Sequence, residues 1–388
     1  MTAQGIKVLI IGGGIGGLAA GIAMRRAGID ATVFERSTSA QSAGAGTAFV
    51  LWNNGMRVLQ YLGVVDEIHA RASRPLSWFE TRTANGDMVW SWCVSDLTRK
   101  IGSPYPVGIK RAELHQVLVD AMPEGVLQLG CDCTGFEQDD TGVTAFFKGG
   151  RQERGDILIA AQGIRSGIRD QILGPSELRY SGFTLWHTIV DSDHPIVWDG
   201  IFRELGAPAV RFKMFPVNDT QAYWSCIAKA PQGAQDPDGR AKEELLRLTA
   251  GFMPPTHDLI NASDSIHRQD VLGRKATKVW GNGRVTMMGD AVHPTTPMLG
   301  QGASQAMEDA VAVTQSLGRN ANPVMALREY EMRRMKRAIG VMTTSWRIGQ
   351  MSMLENPMYT LSIRAQKRLG PLIVKGYQRT ISHDATVA

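Results

Sequence analysis

The stretch "IKVLIIGGGIGGLAAGIAMRRAGIDATVFER", residues 6–36, decides the fold of this 388-residue chain. Its first residues are apolar and β-branched, which is typical of a buried parallel strand. Glycines follow, then apolar residues at helical spacing, and then a helix-ending glycine at Gly28. The run "ATVFER" forms the next strand. The stretch therefore predicts a βαβ unit within about 30 residues.

The glycines after the first strand match the dinucleotide-binding pattern G-x-G-x-x-G at Gly12, Gly14 and Gly17. In this pattern the first glycine permits a tight turn, the second lets the backbone approach a pyrophosphate, and the third allows close helix–strand packing. The helix N-terminus adds partial positive charge. Glu35 ends the next strand, where its carboxylate can accept hydrogen bonds from ribose hydroxyls. Arg36 could face an NADP phosphate, so the motif alone leaves the identity of the dinucleotide open.

Composition and charge limit the classes of protein to which the chain can belong. Hydrophobic residues make up 43% and charged residues 20%, so we expect a packed core. The net charge of +5 is mild, and the basic run at 332–337 fits a solvated helix face better than a nucleic-acid site. Cys131 and Cys133 lack the partner ligands of a zinc site. Reduced thiols, no secretion signal and no long apolar stretch predict a cytoplasmic protein without integral membrane association.

The order of the patterns predicts the architecture. Strand and helix patterns alternate in the first half of the chain and return after residue 280. Between them, residues 180–230 form alternating, aromatic-rich runs that indicate an antiparallel sheet. We therefore expect an α/β fold, in which a discontinuous Rossmann-like domain carries an inserted, mostly antiparallel β-sheet domain and C-terminal helices.

Two further motifs follow the glycine loop in order. The first is "GDILIAAQGIRSGIR", residues 155–169, and the second is "GRVTMMGDAVHPTTPMLGQGASQAMEDA", residues 283–310. Together with the glycine loop and Glu35, they resemble the group A FAD-dependent aromatic hydroxylases, flavoprotein monooxygenases with a p-hydroxybenzoate hydroxylase-like fold. The resemblance covers roughly residues 5–345.

The resemblance implies FAD as the cofactor and a role for each matching residue. Asp290 would accept hydrogen bonds from the ribityl hydroxyls, a task that suits an acceptor-only carboxylate. Pro297 would face the reacting edge of the flavin, and Gly300 and Gly302 would let the backbone approach its ring. Arg111 would reach the flavin side of the cofactor. The predicted cofactor-binding residues are Gly12, Gly14, Gly17, Glu35, Arg36, Arg111, Gln162, Asp290, Gly300 and Gly302.

Gln162 departs from the family pattern, which has Asp at this position. An amide keeps hydrogen bonding but removes a charge. We expect FAD binding to survive and reduction by NAD(P)H to be altered.

The resemblance implies an NAD(P)H-consuming monooxygenase that hydroxylates a small aromatic or heteroaromatic ring through a flavin C4a-hydroperoxide, with O2 as co-substrate and NADH or NADPH as reductant. The substrate would lie between the flavin and the inserted sheet. His187 is the candidate for deprotonating a phenol, although a histidine or an aromatic residue in such a strand is more often part of the core. We expect His293 to pack the flavin loop. The predicted catalytic residues are His187 and Pro297, and the predicted substrate-binding residues are Trp186, Met214, Tyr223 and Trp224.

Two other functions fit the same motifs. One is the same flavin chemistry on a non-aromatic or polycyclic substrate, as in an epoxidase or a tetracycline-type hydroxylase. The other is a non-catalytic FAD-binding module. Monomer and homodimer both remain open. The predicted segments are 1–75, 107–178 and 272–340 for FAD binding, 76–106 and 179–271 for the substrate domain, and 341–388 for the C-terminal helices.

Overall fold

The computed structural model describes residues 5–39, 47–192, 194–195, 199–236 and 239–387. Within them the strands are β1 (Lys7–Ile11), β2 (Asp30–Phe34), β3 (Ala48–Leu51), β4 (Trp78–Thr83), β5 (Met88–Cys93), β6 (Val107–Lys110), β7 (Leu127–Gln128), β8 (Cys133–Gln138), β9 (Val143–Phe147), β10 (Gln152–Gly155), β11 (Ile157–Ala160), β12 (Arg179–Asp191), β13 (Ile201–Ala207), β14 (Val210–Pro216), β15 (Gln221–Lys229), β16 (His267–Gly273), β17 (Gly281–Asn282) and β18 (Val285–Met287).

The α-helices of the same residues are α1 (Ile15–Arg26), α2 (Asn53–Tyr61), α3 (Val65–Arg71), α4 (Val94–Ile101), α5 (Arg111–Asp120), α6 (Gly167–Leu173), α7 (Ala241–Leu248), α8 (Pro254–Asn261), α9 (Gly302–Arg319), α10 (Pro323–Ser352) and α11 (Met358–Ile381). None of them combines the length and apolarity that a membrane crossing needs.

The first βαβ unit forms the centre of a six-stranded sheet with the order β17-β18-β11-β1-β2-β7. β1 pairs in parallel with β2 and with β11, so that Ile10 lies beside Val33 on one side and Ile159 on the other. All three side chains are fully buried. A parallel strand covered on both faces reads as a continuous apolar run, which is why this unit could be recognised from the sequence.

The inserted domain is a seven-stranded sheet with the order β16-β12-β15-β14-β13-β4-β5. All its pairs are antiparallel except β13 with β4. The predicted α/β fold with an inserted, mostly antiparallel sheet is confirmed. Strands β4 and β5 join this sheet from a distant part of the chain, and the exact domain boundaries stay a prediction.

The C-terminal helices pack on both large domains. α10 packs on α9, and α11 packs on β5 and on α2. The tail behind α11 is tied to the Rossmann-like domain, because Arg57 donates to the Ser382 carbonyl at 3.1 Å and forms an ion pair with Asp384 at 3.2 Å. The C-terminal segment therefore belongs to the same packed structure as both sheets.

Candidate active site

A cavity of about 820 Å³ lies between the two large sheets. It opens at the carboxyl ends of β1, β11 and β18, where the residues 14–16, 163–165 and 288–290 line it. The carboxyl ends of parallel strands are the usual ligand-binding edge of such sheets. The seven-stranded sheet forms the opposite wall, and the volume falls in the range of roughly 300–1,000 Å³ typical of ligand clefts.

The three motif glycines have different surroundings. Gly12 has a φ of +116°, and a Cβ added there would lie 2.5 Å from the Ala161 carbonyl oxygen. A Cβ at Gly17 would lie 1.9 Å from the Gly12 carbonyl oxygen. Gly14 instead lines the cavity, and within the described part of the chain a Cβ there would meet no atom within 4 Å. Gly12 and Gly17 are therefore required by close contacts within the protein, and Gly14 leaves space in the cavity.

Glu35 holds the glycine loop in place. Its carboxylate accepts the Gly13 N–H at 2.7 Å with one oxygen and the Ser37 N–H at 2.9 Å with the other. Arg36 is exposed. Each carboxylate oxygen keeps a further lone pair, so these backbone contacts leave Glu35 able to accept additional hydrogen bonds.

Gln162 contacts the N-terminus of the short helix α6, whose N-cap is Ser166. Its side-chain oxygen accepts from the Ser166 hydroxyl at 2.9 Å and from the Ile168 N–H at 3.3 Å. An Asp could also accept such hydrogen bonds, so the amide of Gln162 keeps the contacts to α6 that a carboxylate could make.

Asp290 and Arg111 both line the cavity. Desolvation by the surrounding protein raises the pKa of the Asp290 carboxyl, while His293 and Arg111 oppose that rise. Burial lowers the pKa of Arg111, and Asp290 opposes that change. Asp290 lies in a short 3₁₀ turn, Gly289–Ala291, well before α9 begins at Gly302. It therefore does not cap that helix.

The loop before α9 is held by a 3₁₀ turn and by a contact to α10. Pro297 begins a 3₁₀ turn, Pro297–Leu299, which ends at Gly300 in the left-handed conformation at a φ of +59°. The hydroxyl groups of Thr296 and Ser345 lie 2.9 Å apart and tie the loop to α10. Residues 294–303 all line the cavity, so the N-terminus of the 18-residue helix α9 opens into it. That end of a helix carries partial positive charge.

A buried ion network supports this loop from below. Asp309 accepts the Gly289 N–H at 2.9 Å, contacts the His293 ring at 2.6 Å, and accepts from Arg334 at 2.7 Å. His293 is 1% exposed and does not line the cavity. Its position agrees with a loop-packing role rather than with contact to a substrate.

Glu308, next to Asp309, binds two arginines, with contacts of 2.6 Å to Arg334 and 2.7 Å to Arg337. Burial alone would raise the pKa of both carboxyls. The arginines outweigh burial for Glu308, and His293 with Arg334 does so for Asp309, which holds each pKa at about 2. Both carboxyls are therefore ionised at neutral pH.

A row of polar side chains crosses the wall of the seven-stranded sheet. His187 lies opposite Ser225, and Ser225 lies opposite Lys213, on three adjacent strands. Directly opposed residues share one face of an antiparallel sheet, and all three line the cavity. The Lys213 ammonium contacts Glu204 at 3.3 Å and donates to the Met298 carbonyl at 3.1 Å. This row is thereby connected to the loop that carries Pro297.

Tyr223 lies on the same face as this row and also lines the cavity, with its ring 6.0 Å from that of His187. Burial raises the pKa of the Tyr223 phenol. Side chains alternate between faces along a strand, so Trp186, Met214 and Trp224 lie on the other face. The two Trp ring nitrogens donate to Asp236 and Ser263 at 2.9 Å. All three belong to a core packed against α7 and α8, and they do not line the cavity.

Several cavity residues were missed in the sequence. Lys213 is a charged residue at a buried strand position, in "VRFKMFPV", and that exception to the pattern was the available signal. Tyr377 comes from α11 and reaches the cavity beside Phe79, with ring centroids 5.4 Å apart. No local motif marks it.

Comparison with known proteins agrees with this geometry. The FAD binding domain family matches residues 5–345. The chain belongs to this family. It is an FAD-dependent monooxygenase, and the predicted resemblance to group A hydroxylases is confirmed.

Relatives of this flavoprotein monooxygenase cover nearly its full length. It is 37% identical over 355 residues to an aurachin C monooxygenase/isomerase from Stigmatella aurantiaca, which covers 91% of each chain. It is 33% identical to an FAD-dependent urate hydroxylase from Mycolicibacterium vanbaalenii, covering 86% of this chain and 85% of the relative. The crystal structure of Klebsiella pneumoniae HpxO with FAD and uric acid superimposes with a TM-score of 0.89 at 29% identity, covering 97% of each chain.

Proposed function

We propose that this flavoprotein hydroxylates a small aromatic or heteroaromatic ring, with NADH or NADPH as reductant and O2 as co-substrate. One observation carries the proposal: a single cavity joins the residues that fit FAD to a polar face of the inserted sheet. The ring would lie between Pro297 and the row formed by His187, Ser225 and Lys213. Relatives that act on urate or on an amino-hydroxybenzoate, by their names, support a ring substrate.

The residues of the cavity fit FAD as a bound cofactor. The open space at Gly14 and the N-terminus of α1 would receive the diphosphate, with Glu35 beside the ribose and Arg36 near the adenosine end. Asp290 and Arg111 would hold the ribityl chain and the flavin side. Gln162 would act indirectly, through the N-terminus of α6. FAD supplies the electron transfer from the nicotinamide to O2 that hydroxylation needs.

The turn before α9 would support the flavin ring. Gly300 and Gly302 let the backbone approach the ring, and the helix N-terminus favours negative charge on it. Pro297 would face the reacting edge.

The polar row would orient and activate the ring. His187 is buried and faces the cavity, where it can accept a proton from a ring hydroxyl. Lys213 places an ammonium next to the same space, so an anionic ring or a ring carboxylate would be favoured there. Tyr223 adds an aromatic surface beside His187. We therefore replace Trp186, Met214 and Trp224 as proposed substrate contacts by Lys213 and Ser225.

The test uses the purified protein. We expect a flavin absorption spectrum, and NADH or NADPH oxidation that is stimulated by one class among phenols, aminobenzoates, hydroxypyridines and quinolones. The product should carry one additional oxygen atom by mass spectrometry. Stimulation by a non-aromatic alkene alone, with transfer of oxygen to it, would replace ring hydroxylation by the epoxidase alternative. No oxygen transfer to any member of the panel would contradict the proposal.

A further inference from the structure

Helix α11 has an unusual charge composition. It contains no Asp or Glu over its 24 residues. It carries five basic side chains, and all five are exposed to solvent. They are Arg364, Lys367, Arg368, Lys375 and Arg379. A helix whose charged residues are all basic carries net positive charge, which attracts anionic partners.

The outer face of α11 also carries an apolar stripe. Met358, Leu361, Leu369 and Leu372 are 54%, 51%, 48% and 68% exposed. With Ala365 between them, their spacings of three and four residues place them on one side of the helix. Single exposed apolar residues are common, but a continuous stripe of this length is typical of an interaction surface.

The inner face of the helix accounts for its folding without this stripe. The Tyr359 hydroxyl donates to the Gly206 carbonyl at 2.6 Å, and Gly370 packs so closely on Trp90 that a Cβ would lie 3.2 Å from it. The buried Ile381 ends the helix. Among the described residues, the stripe and the basic residues therefore stay exposed and available to a partner.

We propose that the outer face of α11 docks on the surface of a lipid bilayer that contains anionic lipid. A helix with an apolar stripe beside basic residues lies in the interfacial plane, with its apolar side chains among the acyl chains and its cations among the headgroups. A second copy of the chain fits less well, because two positive faces would repel each other. No described helix can cross the membrane, so the contact is peripheral.

Docking would place the active site next to the bilayer. Tyr377, on the inner side of the same helix, lines the cavity. The wall of the cavity and the membrane-facing stripe are thus opposite sides of one element. This arrangement suits a ring substrate that partitions into lipid, and the inference on docking does not depend on which ring is hydroxylated.

The experiment is cosedimentation of the full-length, FAD-loaded protein with vesicles of phosphatidylcholine, with and without phosphatidylglycerol. We expect binding to the anionic vesicles that weakens as salt rises. Replacing Leu361 and Leu372 by Ser should lower the partition coefficient more than tenfold. Arg364→Gln and Arg368→Gln should each lower it about fivefold.

The matched control is Met332→Ser on α10, which removes another exposed apolar side chain, 73% exposed, outside the stripe. It should leave vesicle binding unchanged. All these variants should keep the flavin spectrum of the unmodified protein, because none of the residues lines the cavity.

Failure of the unmodified protein to bind anionic vesicles at low salt would overturn the proposal. So would equal binding by the Leu361→Ser, Leu372→Ser variant. A homodimer in size-exclusion chromatography that those two substitutions dissociate would assign the stripe to a second copy of the chain instead.

Discussion

Alanine at Gly14 and alanine at Gly17 should have opposite effects on the protein and on its cofactor. Gly14 has an extended backbone, with a φ of −75° and a ψ of 179°, which alanine adopts without strain. Its added methyl group would meet no atom of the described residues within 4 Å, apart from its chain neighbours. The apoprotein should therefore be about as stable as the unmodified one. Alanine restricts the unfolded chain, which stabilises by about 0.4–1 kcal/mol, but Gly14 is the N-cap of α1 and alanine is a poorer N-cap by a similar amount.

FAD binding should weaken in the Gly14→Ala protein, because the methyl group occupies cavity space that the diphosphate needs. The cost of crowding one carbon into a close-packed contact is about 1–3 kcal/mol. That energy corresponds to a loss of affinity of about 5- to 150-fold.

Gly17→Ala should instead destabilise the protein itself. Its Cβ would lie 1.9 Å from the Gly12 carbonyl oxygen, and real Cβ contacts stay above 3.0 Å. Helix α1 must then move away from β1 by about 1 Å or more, which disturbs the buried centre of the six-stranded sheet. We expect the free energy of unfolding of the apoprotein to fall by at least about 1–3 kcal/mol.

Two measurements separate these effects. Urea unfolding of the apoproteins, followed by tryptophan fluorescence, gives stability, and titration of apoprotein into FAD, followed by flavin fluorescence, gives affinity. Gly251→Ala is the control, because Gly251 also has open space around it but does not line the cavity. An unstable Gly14→Ala apoprotein, or one with unchanged affinity for FAD, would refute the assignment of Gly14 to the diphosphate.

The remaining predictions concern the substrate side and the ion network. His187→Ala should slow substrate-stimulated NAD(P)H oxidation far more than it weakens the binding of FAD. His267→Ala, on the neighbouring strand, should not slow this oxidation, because the His267 ring does not line the cavity. Unchanged turnover of the His187→Ala variant would remove His187 from the site. Lys213→Met should keep the flavin spectrum and raise KM for an anionic ring more than for a neutral one, and equal effects on both would exclude charge recognition. Gln162→Asp should change the rate of flavin reduction in stopped-flow experiments while FAD affinity is kept, and an unchanged rate would contradict our expectation. Because the pKa of Glu308 is held at about 2, below its usual 4.5, the stability that it contributes is complete above about pH 4.5 and is lost as the pH falls toward 2. Unfolding of a Glu308→Gln variant should therefore depend less on pH in that window, and an identical pH profile would show that the network does not stabilise the fold.

The sequence determined the parts of this protein whose physics is local. A buried parallel strand, a glycine turn and a helix N-terminus all lie within residues 6–36, so the Rossmann-like unit and its suitability for a dinucleotide were readable from one stretch, whereas the identity of the dinucleotide was not. The turn at 297–302 could also be predicted from the sequence, because proline restricts the backbone at its own position and glycine permits conformations that other residues avoid.

The sequence also predicted that side chains alternate between the two faces of the aromatic-rich strands. It did not predict which of the two faces meets the cavity. A strand with apolar residues on both faces carries no signal for which face meets the cavity and which meets the helices. Trp186 and His187 are neighbours in the chain, yet the first packs toward α7 and α8 and the second toward the cavity. That is why three proposed substrate contacts fell on the wrong side of the sheet.

Only the tertiary structure decided which distant residues meet. Sheet register places Lys213, Ser225 and His187 in one row, helix packing brings Arg334 under the loop of Asp290, and α11 adds Tyr377 to the cavity wall. Backbone conformation follows from a few neighbouring residues, so motifs encode it. Contacts between elements depend on how whole faces pack against each other, and no single stretch of sequence contains that information.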